Sequence, residues 1–422
     1  MNKPTVKRTA RFRRYGLPLC ILAALFCTSG FFFRFKTAAA ETYSGNPLFP
    51  SSEPPQIRSP SAVLIDGKTG TLLYSFNPSL VISPASLTKL MTIHLALRQV
   101  AQGRISVDDI VELPPESWAE NQPPRSSLMF LDRGHRVSLG ELLLGLAVSS
   151  GNDAAVAVAL HAAPTMEAFV TMMNTEAGRL GLVSTRFFEP AGISSENTTT
   201  AMDFALFCKA YLQEHPSSTG LLHSVPVFAY PGSVNTGTAK PPTIVQYNHN
   251  ALLGFVPGVD GLKTGHITEA GYNIALSALR GNTRLIAVLL GEETEEDRDR
   301  DGETLLNWGF DNFITIDINA GYLPSVRIWG GGEKYIPVKP GESTSLTASN
   351  KRAGVLEQEV KLIDDLKAPL AAGAAAGVLI IRDEFGELKR IPLVLERPVY
   401  RGNFFRVVWD NIALFFKKLF SK

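Results

Sequence analysis

Residues 81–92 read VISPASLTKLMT and set Ser86 three positions before Lys89. Three apart on a helix is one face, so the lysine nitrogen can reach the serine hydroxyl. A serine hydroxyl is too weakly acidic to attack a carbonyl unaided, and a neutral amine beside it can take its proton. Chance alone gives about one or two S-x-x-K matches in a chain of this length, so the pair needs company. Without it, this is a surface serine and lysine on an ordinary helix.

Two further motifs supply the company. Ser150-Gly151-Asn152 follows the apolar run LLLGLAVS, and Lys263-Thr264-Gly265 lies in DGLKTGH, which reads as a strand. S-x-x-K, S-D-N and K-T-G together are the set of penicillin-binding proteins and class A β-lactamases. The middle motif here is S-G-N, which keeps the outer Ser and Asn. A second K-T-G, Lys68-Thr69-Gly70, falls in a turn before Ser86. Order and strand context select Lys263.

On SPASLTKLMT, SGNDAA, KTGHITEAGYN and LLNWGF, the chain resembles low-molecular-mass penicillin-binding proteins, the serine D-alanyl-D-alanine carboxypeptidases. S-G-N is usual for that branch. The resemblance implies Ser86 as nucleophile, Lys89 as base, and Ser150 as proton relay to the leaving amine. Asn152 would bond the substrate amide or hold Lys89. Lys263 and Thr264 would bind the terminal carboxylate, with Gly265 letting the peptide lie along the strand. The backbone N–H groups of Ser86 and His266 would form the oxyanion hole. Arg298 aligns with a carboxylate-binding arginine of the family, in what reads as a charged loop; a slipped register would make it Arg300. Burial and the charge of Lys263 are both expected to lower the pKa of Lys89.

The elements that must position these groups are legible in outline. Ser83 suits an N-cap and Pro84 the first turn, with Leu90, Ile93 and Leu97 forming an apolar stripe behind Ser86. SAVLIDGKTGTLLYSF reads as a hairpin, residues 100–200 as mainly helical, and VDGLKTGH, GYNIALSALR and TRLIAVLLGEE as strands, the last two joined at Gly281-Asn282. The expected fold class is α/β: a β-lactamase/transpeptidase-like domain with an antiparallel sheet, flanking helices and a helical subdomain, over residues 59–318. A small all-β domain follows over 319–396, in which PLAAGAAAG reads as a loop. Residues 41–58, rich in Pro and Ser, read as a linker.

The two ends carry a different signal. Residues 1–40 hold eight Lys or Arg and no acid, an apolar run, and Ala38-x-Ala40 before Glu41: an export signal, with an uncleaved anchor as the alternative. Without it, 33 basic residues face 40 acidic ones, a balance that argues against nucleic acid as a partner. Residues 400–422 form an amphipathic helix with Phe405, Val408, Trp409, Ile412, Phe415, Phe416 and Leu419 on one face and Arg406, Asp410 and Lys417 opposite, suited to a membrane interface. These features place the protein at the periplasmic face of the bacterial cytoplasmic membrane.

Cys208 is the one cysteine after the signal and sits in a helical apolar pattern, which excludes an internal disulfide. There is no H-E-x-x-H and no Cys/His pairing, so neither a metal nor a cofactor is expected. His94 reads as structural. The expected partners are peptidoglycan pentapeptides, β-lactams and the membrane surface. The rivals are an endopeptidase, a β-lactamase and a non-catalytic wall-binding scaffold. The lactamase would need a water-activating glutamate, and FFEPAGISSENTTT offers Glu189 and Glu196 without the E-x-x-L-N pattern.

Overall fold

The computed structural model describes residues 48–237, 241–352 and 354–420. The expected export signal lies outside them. Among the described residues there are eight α-helices: α1 Lys89–Ala101, α2 Leu139–Val148, α3 Asn152–Ala162, α4 Met166–Arg179, α5 Ala201–Glu214, α6 Ser233–Thr236, α7 Glu295–Asn312 and α8 Phe404–Phe420.

The central sheet has five antiparallel strands, in the order Leu72–Phe76, Ser61–Asp66, Thr283–Glu292, Gly271–Arg280, Val259–Ile267. SAVLID is buried at every position because both of its faces are covered. Ala62 and Leu64 point into a core shared with Leu305, Leu306 and Trp308 of α7. Val63 and Ile65 point the other way, into the larger core of α1 to α5. The strand's period of two sends its side chains to these opposite layers. The Lys263 strand lies at one edge of the sheet, with Lys263 opposite Ala275 and Gly265 opposite Asn273.

The region 100–200 is less helical than its composition suggests. Helices α2, α3 and α4 occupy 139–179, but residues 102–138 are turns and a two-stranded ribbon, and 180–200 is an irregular loop. Prolines at 114, 115, 123 and 124 remove donors that a helix would need. Helix α2 begins with a capping box between Ser138 and Glu141.

The stretch 51–58 runs against α7: Ser51 and Ser52 N–H donate to Asn312 Oδ1, and Arg58 N–H donates to Asp301. Beyond α7, strand Phe313–Asp317 pairs with Ser345–Ser349 and opens the all-β region. A four-stranded sheet follows: Val338–Pro340, Gly386–Leu395, Ala375–Asp383, Glu357–Leu362. PLAAGAAAG is a loop only to Ala374; its end is already strand. The second K-T-G serves the joint between the two regions. Lys68 pairs with Asp317 at 2.6 Å, and buried Asp66 accepts from both Thr315 and Thr347.

Helix α8 exposes Phe405, Trp409 and Phe415, as its pattern requires. Its polar face is docked in part, however. Asp410 and Leu414 are buried against the β-rich region, where Asp410 accepts from Gly330 N–H at 2.8 Å and pairs with Arg327 at 3.0 Å. Among the described residues, no single helix is long and apolar enough to cross a membrane. Cys208 is buried, as expected.

Candidate active site

Ser86 does not lie in the α-helix itself. Residues Ala85–Thr88 form a 3₁₀ turn, and α1 starts at Lys89. Ser83 makes only a marginal contact to Ala85 N–H, at 3.5 Å, so it is not the expected cap. The chain enters the turn through Ala85 at φ +49°, a left-handed conformation unfavourable for a residue with a Cβ. Two glycines let neighbouring backbone crowd this turn. A Cβ on Gly192 would lie 1.8 Å from Ala85 O, and one on Gly265 would lie 2.9 Å from Pro84 O and Ser86 N. The Lys263 strand and the 190s loop therefore clamp the Ser86 turn from two sides.

Lys89 Nζ lies 2.9 Å from Ser86 Oγ and donates to Ala191 O at 2.5 Å. The lysine is fully buried, and this burial lowers its pKa to about 7, against the opposing pull of Glu189 and Asp153. The contribution expected from Lys263 falls instead on Lys263 itself. Its ammonium is disfavoured by burial first and then by the charges of Lys89 and Arg298. Lys89 has two carboxylates near it, which hold its pKa up.

A cleft of about 370 Å³ joins Ser86, Ser150, Thr264, Gly265, His266 and Arg298. Ser150 also has a left-handed backbone, φ +55°. Strained residues held by their surroundings cluster at functional sites; Ser150 lines the cleft, and Ala85 directly precedes Ser86, which also lines it. Asn152 is buried at the start of α3. Its Oδ1 is an unpartnered buried acceptor among the described residues. Lys263 Nζ donates to Thr264 O at 3.0 Å. His266 stacks on Tyr272 with ring centroids 4.1 Å apart.

Arg298 lies in the first turn of α7 rather than in a loop. Thr294 caps that helix by accepting from Asp297 N–H, and acids in the first turn suit its positive end. Arg298 lines the cleft and pairs with Glu295 at 2.9 Å and Asp299 at 2.7 Å. Arg300 turns instead to Asp297 and Asp301.

Several residues of the site escaped the sequence reading. Arg125, Ser127, His249, Tyr272 and Glu295 also line the cleft. Burial and the nearby charge of Lys263 hold the His249 pKa at about 4, so its imidazole is neutral. Asp153, next to the S-G-N motif, accepts from Met129 and Leu131 N–H at 2.8 and 2.9 Å and fixes the facing loop. Glu189 accepts from the backbone N–H groups of Ala191, Gly192, Ile193 and Ser194. An acid just before Pro190-Ala191-Gly192 was the available signal for that role.

His94 lies apart from the cleft: its ring nitrogens meet His215 at 3.0 Å and Glu176 at 2.9 Å. Although His94, Glu214 and His215 place ligand atoms within 4.8 Å of one another, each already has a protein partner, as Arg98 and Arg179 hold Glu214. A larger, open depression beside α4, lined by Val170, Asn174 and Arg186, gathers none of the motif residues.

The chain as a whole matches a known family. The family model described as D-alanyl-D-alanine carboxypeptidase matches residues 49–294, and that of the penicillin-binding protein 5 C-terminal domain matches residues 318–401. The chain belongs to the D-alanyl-D-alanine carboxypeptidase family. It is 32% identical to D-alanyl-D-alanine carboxypeptidase DacC of Escherichia coli over 95% of this chain and 98% of that protein. It is 35% identical to DacD of the same organism, over 85% and 92%. Among solved structures, penicillin binding protein 5 from Haemophilus influenzae superposes with a TM-score of 0.75 at 31% identity, covering 83% of this chain and all of that one.

Proposed function

We propose that the protein removes the terminal D-Ala from peptidoglycan pentapeptides through an acyl-enzyme on Ser86, and that β-lactams acylate the same oxygen. The observation that carries this reading is the 2.9 Å approach of a buried lysine, its pKa lowered to about 7, to the Ser86 hydroxyl. Lys89 takes the hydroxyl proton as Oγ bonds to the carbonyl carbon of the penultimate D-Ala. The backbone N–H groups of Ser86 and His266 receive the oxyanion. Lys89 returns that proton through Ser150 to the amide nitrogen, the C–N bond breaks, and D-Ala leaves. Water then attacks the ester and gives a proton to Lys89, which passes it to Ser86 Oγ as the acyl C–O bond breaks.

Lys263, Thr264 and Arg298 receive the carboxylate of the leaving residue. An anion there offsets the burial that disfavours the Lys263 ammonium, so substrate binding favours its charged form. The edge position of the Lys263 strand suits a peptide that adds as a further strand. Asn152 Oδ1 can accept from a substrate amide N–H.

A β-lactamase would need a carboxylate free to activate water. Glu189 is occupied by four backbone donors, which argues for a structural role. The export signal and the exposed aromatic face of α8 support an extracytoplasmic enzyme bound to the membrane surface. The β-rich region would then raise the cleft from the lipid toward the wall.

The test is release of free D-Ala from a muramyl pentapeptide by the full-length chain in detergent, beside Ser86→Ala. Release by the parent and none by the variant supports the reading. Release by both would remove Ser86 as nucleophile.

A further inference from the structure

The cations of the cleft are not equivalent. Lys263 and Arg298 are each only 2% exposed. Arg298 is already neutralised by Glu295 and Asp299. Arg125 lines the same cleft but is exposed, and among the described residues no carboxylate or carbonyl holds its guanidinium.

The backbone that carries it is nevertheless held. Arg125 has φ +65°, a left-handed backbone that a flexible tip would not keep in a residue with a Cβ. The residues after it are fastened at successive points. Ser127 O accepts from Asn152 N–H at 2.8 Å, and Leu128 O accepts from Gln246 Nε2 at 2.9 Å. Met129 and Leu131 N–H both donate to Asp153. Three of these four hydrogen bonds end at Asn152 and Asp153, at the start of α3 and two and three residues after Ser150. Arg125 therefore lines the cleft from a segment tied to the start of α3, while Thr264 and Gly265 line it from the Lys263 strand.

A planar fork of donors with no protein partner, facing a substrate cleft, is suited to a carboxylate. The carboxylate of the leaving D-Ala is assigned to Lys263, Thr264 and Arg298. What remains is the acyl side of the scissile bond. There a stem peptide offers carboxylates from two sources: the α-carboxylate of its γ-linked D-glutamate, and the side-chain carboxylate of a diaminopimelate in the third position.

We propose that Arg125 is a specificity residue that pairs with a carboxylate on the acyl side of the stem peptide. This inference rests on the carboxypeptidase reading above. A charge-assisted bond at this partly exposed site supports a preference of about tenfold in kcat/KM.

The test compares three pentapeptides on the full-length chain in detergent: D-glutamyl with meso-diaminopimelate, D-glutamyl with L-lysine, and D-isoglutaminyl with L-lysine. The isoglutaminyl-lysyl peptide is the poorest substrate, by about tenfold against at least one of the others. The diaminopimelyl/lysyl ratio reads the third-position carboxylate; the glutamyl/isoglutaminyl ratio reads the second. Arg125→Gln brings the affected ratio close to one, Arg125→Lys keeps part of it, and added salt weakens it in the parent. Each ratio is taken within one enzyme preparation, so a partly folded variant does not distort it. Turnover of all three at equal efficiency, or a preference that survives Arg125→Gln, overturns the inference alone. Turnover of none overturns the carboxypeptidase reading and this inference with it.

Discussion

Lys89 Nζ stands between Ser86 Oγ, 2.9 Å away, and the Ala191 carbonyl, 2.5 Å away. A neutral amine has two N–H donors and one lone pair. Donation to Ala191 leaves the lone pair free to face the serine hydroxyl. The carbonyl therefore orients the base, and Glu189 orients the loop that carries the carbonyl.

The rate of acylation should follow the neutral fraction of Lys89. With a pKa of about 7, the rate of labelling by a fluorescent penicillin rises about tenfold per pH unit below 7 and levels above it. The negative charge of Glu189 raises the Lys89 pKa, so Glu189→Gln moves this limb to lower pH. A shift to higher pH would contradict the assignment of Lys89 as the base.

Lys89→Arg keeps a cation near Ser86 but cannot supply a neutral amine. Acylation falls by about 10²–10⁴-fold, the usual contribution of a general base. A circular dichroism melt run beside the labelling assay separates this loss from unfolding. Labelling within a few-fold of the parent rate would rule out proton transfer to Lys89.

Gly265→Ala places a methyl 2.9 Å from Pro84 O and Ser86 N, both backbone atoms. The Lys263 strand and the Ser86 turn must then separate. A displacement of this order costs about 10²-fold in turnover, with a smaller effect on the melting temperature. Gly254→Ala, with open space around its Cβ but φ +73°, strains only its local turn. It leaves D-Ala release close to the parent rate, and an equal loss in both variants would refute the crowding argument.

The buried network around Glu176 gives a stability signature in acid. Burial pushes its carboxyl up, but His94, Arg179 and Arg98 outweigh this and hold it at about 2, below the ordinary 4.5. The folded-state pKa is depressed, so the stabilisation is complete above about pH 4.5 and fades as pH falls toward 2. Urea midpoints at pH 6 and pH 2.5 for the parent and Glu176→Gln test this. The gap between the two proteins is larger at pH 6, and a gap that widens in acid would reverse the argument.

Much of the site was legible because its chemistry lies in short motifs: Ser86, Lys89, Ser150 and Lys263 were chosen by residue type and order. The strands were legible because burial on one or both faces leaves a clear apolar pattern. Some of the residues missed act through backbone. Asp153 and Glu189 work by accepting from N–H groups several residues away, and no pattern of side-chain types encodes that. The 3₁₀ turn at Ser86 was missed for a related reason. It depends on Gly192 and Gly265, over a hundred residues downstream, pressing on Ala85. Helix α7 was misread because EETEEDRDRD looks like a solvated loop until Thr294 is recognised as its cap. The polar face of α8 looked free because its partners, Arg327 in a two-residue strand and Gly330 in the turn after it, lie about eighty residues upstream.

Asp66 and Lys68 tie the end of one sheet strand to Thr315, Asp317 and Thr347 at three points. A single contact would act as a pivot, whereas two residues that grip three positions on a pair of strands resist bending. The all-β region and the central sheet therefore turn as one piece, and whatever holds the first fixes the direction in which the cleft opens.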